Sequence, residues 1–186
     1  MRFNHSITVC LMILLLNGCS IFSRSAARIT PVSPTPFLIN EEVYPPGWKQ
    51  EATLSDQGYA GEELGSIDVV FRYNSEPDNV SIYTVLWYES IESAKNGFNE
   101  LTNHSKTIRK KLYLYDQFPY KSRFSQTHNM LCESQPNPDN EPYLCIFQAR
   151  YGSYITMMSV HIDSTSMSIE DFTTLLQDIE KMFVMA

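Results

Sequence analysis

Val80-Ser81-Ile82-Tyr83-Thr84-Val85-Leu86-Trp87-Tyr88 alternates at period two. Val80, Ile82, Thr84, Leu86 and Tyr88 fall on one side, Ser81, Tyr83, Val85 and Trp87 on the other, which predicts a strand. Upstream, Ile67, Val69, Phe71 and Tyr73 alternate with Asp68, Val70, Arg72 and Asn74, a second half-buried strand. The intervening Ser75-Glu76-Pro77-Asp78-Asn79 suits a hairpin turn. Lys49 to Ser55 is read as a further strand before them. Downstream the period changes. Ile91, Ala94, Phe98, Leu101, Ile108 and Leu112 recur at helical spacing behind Ser90, a good N-cap. Gly97 weakens that helix a little.

The second half follows the same plan. Arg123 to Glu133, Tyr143 to Tyr151 and Tyr154 to Asp163 read as strands. A last helix carries Ile169, Phe172, Leu176, Ile179 and Phe183 on one stripe, and Ser168 with Asp171 forms a capping-box pattern at its start. The fold class expected is α+β: one antiparallel sheet of five or six strands with two helices on one face, built as a β-β-β-α duplication. In outline this is similar to small α+β domains of the Mog1/PsbP and LpqN types. If Val80, Ile82, Leu86, Met158, Val160 and Ile162 face the helices, alternation sends Tyr83, Val85, Trp87, Ile155, Met157 and His161 to the opposite face. Asp68, Arg72, Ser81, Gln148, Arg150 and Ser159 interrupt that second face. It is too apolar for bare solvent and too polar for a dry core, so Tyr83, Trp87, Met157, His161 and Arg150 are the candidate binding face. The competing reading is that Phe37 to Trp48, or Leu114 to Phe124, simply covers it.

The N-terminus carries an address. Met1 to Ser6 is polar with Arg2, and Ile7 to Leu16 is almost entirely apolar, the n- and h-regions of a secretory signal. The apolar run is well short of the ~20 residues that span a bilayer. Leu16-Asn17-Gly18-Cys19 resembles the bacterial lipobox, with Asn17 departing from its usual small or aliphatic residue. The resemblance implies cleavage before Cys19, diacylglycerol on its sulfur, and a membrane anchor facing outside the cytoplasm. Ser20, rather than Asp, implies transfer to the outer membrane in a diderm cell. Domain limits follow: signal 1–18, tether 19–36 rich in serine and proline, and one globular domain over 37–186. Within it, the apolar groups around Pro45-Pro46-Gly47 read as a short helical turn and a kink docked on the domain.

Cysteine use agrees with export. Cys10 leaves with the signal and Cys19 is acylated, so Cys132 and Cys145 remain as a pair across the turn composition of 135–142. Two strands folding back there would set them opposite each other as a disulfide. A reactive thiol served by His128 is the weaker alternative, because no third group orients it. Formal charge is −7, and removing Arg2 from the 14 basic side chains against 21 acidic ones takes the mature balance to −8. That balance disfavours nucleic acid and anionic membrane surfaces.

No catalytic or metal constellation is legible. His104, His128 and His161 are scattered, no H-x-x-x-H, C-x-x-C or G-x-S-x-G occurs, and 7 glycines leave little for phosphate loops. Asp139, Asn140 and Glu141 lack calcium-loop spacing. The basic run Lys106, Arg109, Lys110 and Lys111 complements the carbonyl end of the first helix. No cofactor is expected. The expected function is a non-enzymatic envelope lipoprotein whose domain binds a protein or a small amphipathic ligand. The alternatives are a structural or assembly factor of a membrane complex, and an enzyme whose site carries no recognisable motif.

Overall fold

β3, Val80–Tyr88, lies near the centre of one antiparallel sheet. The computed structural model describes residues 33–56, 58–59, 62–109, 113–114, 120–134 and 143–185. The signal, Cys19, the tether up to residue 32, and Lys110 and Lys111 lie outside them. The other strands are β1 (Trp48–Ser55), β2 (Glu63–Tyr73), β4 (Tyr113–Leu114), β5 (Thr127–Ser134), β6 (Tyr143–Tyr151) and β7 (Tyr154–Ile162). They are ordered β1-β2-β3-β7-β6-β5-β4, so six full strands carry the sheet and the two-residue β4 edges it. Two helices complete the fold, α1 (Ile91–Arg109) and α2 (Ile169–Met185). The expected strand from Arg123 begins only at Thr127. Residues 123–126 serve α2 instead, as described below.

The strand order contains two three-stranded meanders, β1-β2-β3 and β5-β6-β7, joined where β3 pairs with β7. The helices do not repeat with them. α1 packs Ala94 and Phe98 on Leu86, Tyr88 and Ile155. α2 packs Phe172, Leu175, Leu176 and Ile179 in the cluster that holds Tyr83, Val85, Phe147 and Met158. Leu86 and Tyr83 point to opposite sides of β3, so the helices cover opposite faces, not the one face expected. The composition of β3 explains this. Both of its alternating sets are large and apolar, so both faces of the central sheet need a cover.

Local chemistry fixes the ends. Ser90 Oγ accepts from the Ser93 amide at 3.0 Å and caps α1. At α2, Ser168 Oγ accepts from the Asp171 amide at 3.1 Å while Asp171 Oδ2 accepts from the Ser168 amide at 3.2 Å. Each cap is worth about 1 kcal/mol. Cys132 and Cys145 stand opposite each other in the β5–β6 register, Cα atoms 4.0 Å apart, and are joined as a disulfide within the α2-side core. Closing 13 residues stabilises the fold by roughly 3 kcal/mol in the chain-entropy view.

Residues 35–48 dock as expected, on the α2 face. Short 3-10 turns at Thr35–Phe37 and Glu41–Val43 lead into a turn at Gly47, whose φ is +100°. Tyr44 stacks on Phe71 at 4.1 Å, and Trp48 Nε1 donates to the Ser166 carbonyl at 2.7 Å.

Candidate functional site

The five residues of the expected binding face do not share a face. Register pairs Tyr83 with Met158 and Thr84 with Met157, so Tyr83 and Trp87 lie on the α2 side while Met157, His161 and Arg150 lie on the α1 side. Alternation defines two sets per strand but not which set of β3 joins which set of β7. The expected grouping of Ile82 and Leu86 with Met158 is one residue out of phase with the observed register, and such a slip inverts every side chain. Tyr83 is fully buried and donates to the Phe37 carbonyl at 2.8 Å, so the 37–48 segment does cover it. Trp87 is half-buried against Gly65, where a Cβ would stand 2.4 Å from its ring.

The mixed face is real on the α1 side, with Thr84, Leu86 and Ile82 in place of Tyr83, Val85 and Trp87. A polar row crosses five strands there: Asp68, Thr84, Met157, Gln148 and Asn129 are successive register partners. Thr84 Oγ1 donates to Asp68 at 2.7 Å, the Tyr59 hydroxyl donates to the same carboxylate at 2.5 Å, and Asn129 donates to Gln148 at 2.9 Å. Burial first, and Asp68 next, push the Tyr59 hydroxyl up to about 12. Arg150 is buried with its Nη1 on the Gly152 carbonyl at 3.2 Å, and His161 Nδ1 donates to the Asp78 carbonyl at 3.0 Å. These side chains are engaged in holding strands and turns, and α1 roofs part of the row.

An open site forms at one end of the sheet, where the β6–β7 turn meets the last turns of α2. The Phe183 ring is sandwiched, stacking on Phe37 at 4.3 Å and on Tyr151 at 4.4 Å, with Tyr154 tilted against Phe37 at 4.8 Å. Above this aromatic floor is a groove of about 800 Å³. Its rim carries Ile91, Phe124, Val184 and Met185, which are 53%, 50%, 54% and 79% exposed. Half of the described large apolar side chains left exposed therefore gather around one hollow. Among the described residues no side chain lining it is charged; Gln126 and Ser153 are its polar edge. The volume lies in the range of small-molecule sites, ~300–1,000 Å³.

A polar hollow adjoins it across Phe124, with Lys121 and Arg123 at its exposed edge and Glu180 in its floor. Glu180 is buried on α2, accepting from Ser122 Oγ, from the Tyr151 hydroxyl at 3.2 Å and from the Arg123 amide at 3.4 Å. It ties the chain before β5 to α2 and thereby positions Phe124 on the groove rim. Burial first, then this carboxylate, hold the Tyr120 and Tyr151 hydroxyls far above the ordinary tyrosine range. Sequence reasoning passed over Glu180, although a signal was there: it sits four residues after Leu176, on the apolar stripe of α2.

Among the described residues there is no cluster of three metal-ligating side chains, and no helix is long and apolar enough to cross a membrane. No family model and no curated protein matches the chain. Among solved structures, the fold is similar to the extracellular domain of PknH from Mycobacterium tuberculosis, with a TM-score of 0.58 over 82% of this chain and 98% of that one. Identity is 8%, and the likeness is one of fold alone.

Proposed function

We propose that this is an exported envelope lipoprotein, held to a membrane through a lipidated Cys19, whose domain binds an amphipathic partner in the groove over Phe37, Tyr151 and Phe183. The groove is the observation that carries the binding reading: a preformed, uncharged hollow framed by exposed apolar side chains is what an apolar ligand or a partner's apolar side chains require. Export is supported by the Cys132–Cys145 disulfide, a bond that persists in oxidising compartments, and by the extracellular setting of the structural neighbour. The lipobox at Leu16–Cys19 supports the anchor. The role proposed is binding without chemistry.

Titration with the amphiphilic dye anilinonaphthalene sulfonate tests the groove. Uptake with a defined stoichiometry is expected, and Val184→Asp on the rim should abolish it without unfolding the domain. Uptake that is absent, or indifferent to a charge on the rim, contradicts the reading.

A further inference from the structure

The chain enters the domain at the groove. Residues Thr35–Phe37 form a 3-10 turn whose Phe37 ring is part of the groove floor, and Pro36 lines its wall. From Cys19 to Val32 the backbone can reach at most about 50 Å, at ~3.3–3.6 Å per residue. A domain anchored at Cys19 is thus held within one molecular length of the bilayer, by a chain that enters it beside an apolar groove. Tethering supplies proximity, and the distribution of side chains decides orientation.

Two features of that end match a bilayer interface. The rim of Ile91, Phe124, Val184 and Met185 presents apolar side chains outward, and the groove between them is uncharged. Beside it, across Phe124, the exposed side chains of Lys121 and Arg123 stand at the edge of the polar hollow. Apolar groups that dip below the headgroups, flanked by cations at phosphate level, are the pattern of interfacial attachment. On a chain whose net charge is −7, Lys121 and Arg123 form a local cationic edge that suits phosphate, while Ile91, elsewhere on the rim, is flanked in sequence by the exposed Glu89 and Glu92. The opposite end differs. The β2–β3 turn there is Asn74-Ser75-Glu76-Pro77-Asp78-Asn79, polar and acidic, and lies about 27 Å away along β3 at ~3.4 Å per residue.

We infer that the occupant of the groove end is the bilayer to which the protein is tethered: the rim inserts among the upper acyl chains while Lys121 and Arg123 meet lipid phosphates. This rests on the groove being a binding surface and names its partner. It makes the domain lie with α2's C-terminal turn down and the β2–β3 turn away from the membrane.

The test uses the full lipidated chain reconstituted into phosphatidylcholine vesicles brominated on the upper acyl chain. Phe124→Trp places a reporter on the rim, Val184→Trp a second in case the first disturbs folding, and Glu76→Trp a control at the far turn. After subtraction of the parent signal from Trp48 and Trp87, bromine should quench most of the emission added on the rim and none of that added at the turn. Equal quenching at both ends, or none at either in protein that co-floats with vesicles, overturns the inference. Dye uptake that persists alongside unquenched rim reporters removes the bilayer as occupant and leaves the groove as a ligand site. Chain that does not co-float at all removes the anchor, and this orientation with it.

Discussion

At Gly97 a substitution that favours the helix should harm the protein. Alanine has the better intrinsic propensity by about 1 kcal/mol. Yet a Cβ there would lie 2.3 Å from the Tyr88 hydroxyl oxygen and 2.6 Å from the adjacent ring carbon, both held in the α1-side core. Overpacking of that kind costs about 1–3 kcal/mol, so Gly97→Ala should lower stability in urea unfolding, and Tyr88→Phe should relieve part of the loss. Tyrosines set a second expectation. Burial raises the hydroxyls of Tyr44, Tyr83 and Tyr88 well above their ordinary range, as it does Tyr59, and as it does Tyr120 and Tyr151. A raised folded value means that the native state keeps protons the unfolded chain releases near pH 10. The stability from these groups is complete below about pH 10 and falls as pH climbs past it. Ultraviolet titration should show the hydroxyls of the buried Tyr44, Tyr83, Tyr88, Tyr120 and Tyr151 ionising only together with loss of the fold; independent ionisation of all eleven tyrosines near their ordinary value would contradict that burial.

The elements were legible in the sequence because their signals are local. The period of β3, the Ser90 cap and the Ser168–Asp171 box need no knowledge of distant residues, and the cysteines bracket their own turn. Which faces meet is not local. β3 is apolar on both sides, so its pattern cannot say that Leu86 shares a face with Ile155 and Tyr83 with Met158, and the helices were accordingly placed together. A charge scan of β3 separates the two arrangements. Val85→Asp buries a carboxylate at a fully buried position and should prevent folding, whereas Ile82→Asp, at 37% exposure, should cost about 1 kcal/mol. The reverse order in thermal melts would restore the single-face arrangement. The disulfide belongs to this scale as well: Cys145→Ala paired with Cys132→Ala should lower unfolding free energy by about 2–4 kcal/mol, read from the shift of the urea midpoint.

For the whole molecule, the groove was invisible in the sequence because five separated stretches build it: Phe37, Ile91, Phe124, the β6–β7 turn and the end of α2. Its residues read singly as ordinary core or as helix end. Only the fold brings Phe183 between Phe37 and Tyr151, and Phe124 is held on the rim by Glu180 before it and by the Gln126–Arg150 backbone bond after it. The proposed attachment would give that end its meaning: a lipid on Cys19 would bring the groove's end of the domain within reach of a bilayer. The most direct test is the intact mass of the mature protein isolated from cell envelopes. The account expects a chain that starts at Cys19, heavier than its sequence by a diacylglyceryl group, with Cys132 and Cys145 oxidised. A chain still starting at Met1, or one with Cys19 unmodified, would contradict it.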